Sequence, residues 1–206
     1  MKKIAIFGNG GHASSVIDAI LENNENQEFY SVIEFGIIAK DNFSPINLSN
    51  LVSKQNDFIL VMGIGDFNSR NLIIESLLVS LSISLFHPVI HPTAFVSRSA
   101  NLGYGSVILS QVNVGPNSIL GNFCILNTKS SVDHDVVIGE RNSLSPSVTI
   151  AGKVTTGREC FFGIGSNVSD GLTIGNNSTV GANSYVHESI PANGFYLGTP
   201  ARNHAK

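Results

Sequence analysis

The sequence predicts a chain in two parts: an α/β amino-terminal domain on a small parallel sheet, then a parallel β-helix of hexapeptide repeats. Three observations carry this. Over residues 1–88, short apolar runs alternate with helical patterns. A glycine turn follows the first of those runs. From Val96 onward an apolar residue recurs at every sixth position and the phase never slips.

In the first half, "KIAIF" is a short buried strand. "GNGGHASSVIDAILENN" opens on glycines and then places Val16, Ile17, Ala19, Ile20 and Leu21 at roughly helical spacing. "FYSVIEFGII" reads as a second strand, "DFILVMGIG" as a third, "SRNLIIESLLVSL" as a second helix and "ISLFHP" as a last short strand. Strands alternating with helices imply parallel pairing. "GNGGHA" after "IAIF" fits G-x-G-x-x-A, the phosphate turn of Rossmann-like βα units, in which glycines let the backbone approach a phosphate at a helix amino end. The stretch before the repeats is too short for a full dinucleotide fold, so a mononucleotide portion suits it better. His12 lies in this turn, with two roles open: capping or packing of the helix, or contact with phosphate or sugar.

In the second half, stepping by six from Val96 through Leu102, Ile108, Val114 and onward to Val186 meets a sizeable apolar residue at every position except Thr156. The next residue is often glycine, and the fourth on is mostly small or apolar, as at Ala100, Ser106 and Cys124. A period of six belongs to neither a helix nor a hairpin; it is the hexapeptide β-helix pattern. Three hexads make one triangular coil, so residues 18 apart should stack, and Val96, Val114, Val132, Ile150, Val168 and Val186 should form one column. This register separates Cys124 and Cys160 by two coils, about 10 Å, too far for a disulfide.

Composition narrows the function. Charged residues are 13% and the net charge is −3, which argues against electrostatic binding to nucleic acid or an anionic membrane. "MKKIAIFGNG" is no signal peptide and no apolar run reaches membrane-spanning length, so a cytoplasmic location is expected. His91, His134 and His187 are not spaced by multiples of 18, so no metal site is expected. Asp133-His134-Asp135 interrupts the apolar rhythm at a coil corner. Two readings stand: a solvated corner or a site. Gly152 stacks 18 residues beyond His134 and has no side chain, leaving room for a ligand above the ring.

The whole chain resembles the hexapeptide-repeat sugar acetyltransferases, both the sialic acid O-acetyltransferase and the bacillosamine-type N-acetyltransferase branches. The resemblance rests on "GNGGHASSVID", "GIGDFNSR", "HPTAFVS", "ILNTKSSVDHDVVIG", "LSPSVTIAGKVTTG" and "GTPAR" in that order. It implies a left-handed β-helix, a homotrimer, acetyl-CoA between neighbouring β-helices as the co-substrate, and a sugar nucleotide on the amino-terminal domain. It places the general base at His134 with Asp135 beside it, and contacts to the nucleotide-linked amino sugar at Gly8, Gly10, Gly11, His12, Asp41, Gly65, Arg70 and Asn127. Cofactor contacts fall at Gly152, Gly163, Gly181 and Arg202 along a groove over residues 145–185. Where the family carries an acidic pair after its second strand, this chain has Ala39-Lys40-Asp41, and Ala13 stands where the family has glycine. Attack on a thioester requires a nucleophile relieved of its proton; histidine does this near neutral pH, and a neighbouring carboxylate orients the ring.

These residues together point to N-acetylation of a nucleotide-linked 4-amino-4,6-dideoxy sugar for surface glycan synthesis. O-acetylation of sialic acid is the alternative within the family. A non-catalytic β-helix that only binds sugar nucleotides is the alternative outside it.

Overall fold

The structure is a computed structural model that describes residues 3–23 and 58–204. The expected strand "FYSVIEFGII" and Asp41 lie outside the described residues. Strands β1 (Lys3–Phe7) and β2 (Phe58–Met62) pair in parallel, Ala5 opposite Leu60. Both strands are apolar on successive residues because both faces are covered. Ile4, Ile6, Ile59 and Val61 pack with Val16, Ala19 and Ile20 of helix α1 (Gly11–Asn23) on one side. Ala5, Phe7, Leu60 and Met62 pack with Ile74 and Leu77 of helix α2 (Phe67–Leu78) on the other.

Two boundaries differ from expectation. Helix α2 starts at Phe67 because the Asp66 side chain caps it, accepting from the Ser69 N–H at 2.9 Å. "ISLFHP" is not a strand of several residues. Its first half is a single 3-10 turn, Ile83–Leu85, capped by the Ser82 side chain, and one parallel bridge joins Leu60 to Phe86. Phe86 is fully buried against Phe7 and Phe123, so that side chain ends the turn in the core.

From Val89 the chain winds as a triangular prism. Two-residue strands stack into three sheets: one eight-stranded, starting at Val89–Ile90; one six-stranded, starting at Phe95–Val96; and one five-stranded, starting at Asn101–Leu102. The predicted column holds: Val96, Val114, Val132, Ile150, Val168 and Val186 are successive register partners in the six-stranded face. The inward residues at the six-residue step form one continuous core. The exception, Thr156, is explained by a second exception. Asn142, fully buried where neighbouring coils carry serine, cysteine or valine, donates to Thr156 Oγ1 at 2.8 Å and to the Gly139 and Gly157 carbonyls. Its Oδ1 accepts from the Cys160 backbone N–H. Asn142 therefore lies between Cys124 and Cys160, both buried and free.

From Gly105 to Asn183 the corners turn through the left-handed region at one fixed phase of the hexad. Gln111, Asn117, Phe123, Lys129, Asp135, Arg141, Ser147, Lys153 and Glu159 all have φ between 57° and 61°. The strain is offset by the ladder, since such a residue donates its N–H to a carbonyl one coil back: Asp135 to Pro116 at 2.9 Å, Lys153 to His134 at 3.0 Å, Arg141 to Asn122 at 2.8 Å.

The amino-terminal domain sits on the eight-stranded face. Val107, Leu109 and Ile125 of that face join its core. Arg141 pins α2 from the prism side, reaching Glu75 at 2.9 Å and Glu159 at 3.1 Å. Among the described residues no helix is long and apolar enough to cross a membrane.

Candidate active site

The glycine turn lies at the carboxyl ends of β1 and β2, where parallel α/β units bind ligands. Gly8 has φ 130°, and a Cβ there would lie 2.5 Å from the Gly63 carbonyl oxygen, so only glycine lets the two loops cross. Beyond that crossing opens a cavity of about 450 Å³ lined by Gly8, Gly10, Gly11, His12 and Gly65, with Asp66 and Ser69 from the start of α2. The amino end of α1 points its free N–H groups at this space, an anion-binding arrangement. Five residues singled out in the sequence thus meet around one cavity.

Arg70 does not join them. Its side chain is fully buried between α2 and the prism, outside the cavity wall. It donates to the Arg141 carbonyl at 3.0 Å and lies 5.5 Å from the Phe67 ring centre. Its Nε and Nη1 are buried with no protein acceptor, and burial pulls its pKa down to about 10. Direct substrate contact, as read from the sequence, is therefore corrected: packing of α2 on the prism has taken this guanidinium inside. Its charge still reaches His12. Burial first, and Arg70 second, lower the His12 pKa to about 4, so that ring is neutral at physiological pH.

His12 and Gly65 also form one wall of a second, smaller cleft of about 60 Å³, whose other walls are Asn127, Ser143, Ser145 and Phe161 on the prism. The cleft thereby connects the glycine turn to Asn127, whose Oδ1 accepts from the Thr128 N–H at 2.9 Å. His12 Nε2 and Ser143 Oγ are both buried here with no protein partner. Ser143 was missed from sequence. The signal was its place in the outward column, where a small polar residue stands between the apolar Ile125 and Phe161.

His134 occupies a different corner. Asp133 Oδ1 accepts from the His134 backbone N–H at 2.7 Å, and Asp135 Oδ2 lies 2.8 Å from His134 Nδ1. Asn117 Nδ2 donates to Asp135 Oδ1 at 3.1 Å. The hydrogen bond from His134, followed by that from Asn117, holds the Asp135 carboxyl below the usual carboxylate range. A carboxylate on Nδ1 assigns the proton to that nitrogen and leaves Nε2 as an acceptor. The imidazole is half exposed, at 47%. The corner thus presents an imidazole nitrogen able to accept a proton beside a carboxylate that orients the ring.

The proposed cofactor glycines fare differently. A Cβ on Gly152 would lie 2.8 Å from His134 Nε2, so the room expected for a ligand there is filled by the His134 ring itself. Gly163 and Gly181 do not open a groove by lacking side chains. A Cβ on Gly163 would meet the Ala182 backbone nitrogen at 2.5 Å, and one on Gly181 would meet the Leu197 side chain. Gly163 is required by the backbone of the next coil, whereas the space beside Gly181 is filled by the Leu197 side chain. Arg202 is exposed, its guanidinium 3.5 Å from the Ala201 carbonyl. Among the described residues no group of three His, Cys, Asp or Glu is placed to hold a metal ion.

The two centres stand at different corners of the prism. Asn127 and His134 stand at opposite edges of the six-stranded face, separated by the strand Ser131–Val132.

Comparison with known proteins now bears on this geometry. Residues 3–77 match the model of the PglD N-terminal domain. The structure superposes on PerB from Caulobacter crescentus, solved with CoA and GDP-perosamine, with a TM-score of 0.84 and 28% identity over 100% of this chain and 98% of that one. In fold and in sequence the chain is similar to the hexapeptide-repeat acyltransferases. The acetyltransferase domain of PglB from Neisseria gonorrhoeae, solved with acetyl coenzyme A, gives a TM-score of 0.82 at 27% identity, covering 98% of each chain. Like these acyltransferases, the prism is a left-handed β-helix. Among curated proteins, the carnitine operon protein CaiE of Escherichia coli O7:K1 is 32% identical over 132 residues, which span 56% of this acyltransferase chain and 66% of the relative.

Proposed function

We propose that this acyltransferase is an acetyl-CoA-dependent N-acetyltransferase that acetylates the amino group of a nucleotide-linked 4-amino-4,6-dideoxy sugar, in the cytoplasm and for surface glycan or lipopolysaccharide synthesis. The observation that carries the reading is the His134–Asp135 pair, Nδ1 to Oδ2 at 2.8 Å on an exposed corner. It is supported by the 450 Å³ glycine cavity, of a size for part of a sugar nucleotide. That cavity favours a nucleotide-linked acceptor over free sialic acid, and a base-and-acid pair favours catalysis over simple binding. PerB and PglB, which bind CoA with an amino sugar nucleotide and acetyl coenzyme A respectively, point the same way.

In this reading the diphosphate lies over Gly8, Gly10 and Gly11, and the sugar follows His12 and Gly65 towards Asn127. His134 Nε2 takes the proton as the amine nitrogen attacks the thioester carbonyl. The new bond is an amide, and CoA leaves as the thiolate and is protonated. Asp135 favours the imidazolium that forms. Because Asn127 and His134 lie on opposite edges of one face, a neighbouring copy supplies the missing half, and a homotrimer is the proposed assembly. The stacked outward residues Ile119 and Val137, both exposed, suit such a contact. Arg202 is proposed to meet a phosphate of CoA. Gly152 keeps a role through the position of the His134 ring, Gly163 through the backbone of the next coil and Gly181 through the room it leaves for Leu197.

The test is thiol release from acetyl-CoA in the presence of UDP-, dTDP- and GDP-linked 4-amino sugars, with free sialic acid as the control. Acetylated amine with one of the nucleotide sugars is expected. Turnover only with sialic acid moves the reading to O-acetylation, and CoA or nucleotide-sugar binding without any turnover moves it to a binding protein.

A further inference from the structure

We propose that Asn117 is a positioning residue for the His134–Asp135 pair, holding the Asp135 carboxylate on the imidazole from the preceding coil. The proposal rests on the reading of His134 as general base.

Asn117 and Asp135 occupy the same corner phase, 18 residues and one coil apart, with φ 61° and 57°. That conformation aims both side chains out of the same edge, and asparagine is among the few residues at ease in it. The Asp135 side chain is 45% exposed, and a short carboxylate facing water has several rotamers. In the structure its two oxygens are divided: Oδ2 meets His134 Nδ1 at 2.8 Å and Oδ1 accepts from Asn117 Nδ2 at 3.1 Å. The Asn117 backbone is itself tied one coil further back, its N–H donating to Ser99 Oγ at 3.0 Å. A hydrogen-bonded path therefore runs from Ser99 through Asn117 and Asp135 to the base.

A competitor stands at the same phase one coil on. Lys153 carries the corner after Asp135, its N–H bonded to the His134 carbonyl, and its charge acts on the Asp135 carboxyl. A carboxylate that swung to Lys153 would leave Nδ1 without an acceptor. The proton could then sit on Nε2, the atom that has to be free to take the substrate's proton. Asn117 opposes that swing by occupying the oxygen that would lead it.

The experiment combines 15N NMR of the imidazole nitrogens in the ligand-free protein with kcat and KM. Asn117→Gly removes the amide and suits the left-handed backbone; Asn117→Asp keeps the shape and cannot donate. Wild type is expected to show the Nδ1–H form alone. Asn117→Gly should show a mixture of tautomers and a kcat lowered roughly three- to tenfold, the size of one net hydrogen bond, at unchanged KM. Asn117→Asp should lose more. Adding Lys153→Met to Asn117→Gly should recover part of both signals, a rescue that a merely structural role would not produce. Unchanged tautomer and kcat in Asn117→Gly would overturn the proposal. If instead His134→Ala keeps its activity, the base assignment fails, while the ring signals still report whether Asn117 holds the pair.

Discussion

His134 contributes a proton acceptor and little packing, since nearly half of its side chain faces solvent. His134→Ala should therefore lower kcat by roughly 10²–10⁴-fold while leaving Tm and CoA affinity nearly unchanged. Steady-state rates beside calorimetric CoA binding check this, and a rate above about half of wild type with binding intact would remove His134 as the base. Asp135→Asn is the better partner variant than alanine, because asparagine tolerates the φ of 57°. It should reduce the rate less than His134→Ala does. His12 makes a separate claim on stability. Its folded pKa, about 4, lies below the unfolded value of 6.5, so the unfolded chain binds the extra proton. Stability is whole above pH 6.5 and falls as the pH drops towards 4. At pH 4.5 the loss is about 2–3 kcal/mol from this group. Urea unfolding at pH 7.5 and pH 4.5 should show the gap narrowing in His12→Asn. A gap of unchanged width would mean the ring is solvated.

At the scale of the coil, the six-residue step told which residues face inward because every strand has only two residues and one inward position. Periodicity could not tell how the corners turn. Phe123, Arg141, Lys153 and Glu159 adopt the left-handed conformation with side chains that do not announce it. The ladder bonds impose it from outside the local sequence. The Asn117–Asp135 bond was readable by stepping back 18 residues from Asp135. The burial of Arg70 was not, since it depends on how α2 docks on a face formed 70 residues later. Asn142 and Thr156 each look like a fault in the repeat and make sense only as a pair. Thr156→Val should cost about 1 kcal/mol by removing the hydroxyl that accepts from Asn142 Nδ2. In an Asn142→Val background the same change should cost less. A double-mutant cycle by denaturant unfolding is expected to return a coupling of about 1 kcal/mol, and a cycle that closes at zero would show that the two merely coexist.

For the whole molecule, the proposed assembly and the proposed chemistry stand together. In the proposed trimer the face presenting Ile119 and Val137 to solvent would be covered, and Asn127 and His134, at different corners, would be completed by a neighbouring copy. Light scattering should give a trimer at micromolar concentration. Val137→Lys should shift it towards monomer, with the β-structure retained and transfer lost. A Val137→Lys monomer that still turned over would place the whole site within one chain.

The register that stacks residues 18 apart gives the prism the property of a screw with a threefold thread. Excising residues 160–177 removes one full pitch. The column Val114, Val132 and Ile150 is untouched, Val186 moves down to sit on Ile150, and the tail carrying Arg202 descends about 5 Å along the axis without rotating. Excising residues 160–165 removes a third of a pitch. Every later strand then swings by 120° onto the next face, and Arg202 leaves the side on which it stood relative to the coils before residue 160. Length changes in whole coils are thus translations, which the fold absorbs, and changes in single hexads are rotations. Chains with one coil more or fewer should fold and bring the same groups to the same edges, whereas a lone hexad gained or lost after His134 should yield a folded prism whose carboxyl end addresses the wrong neighbour.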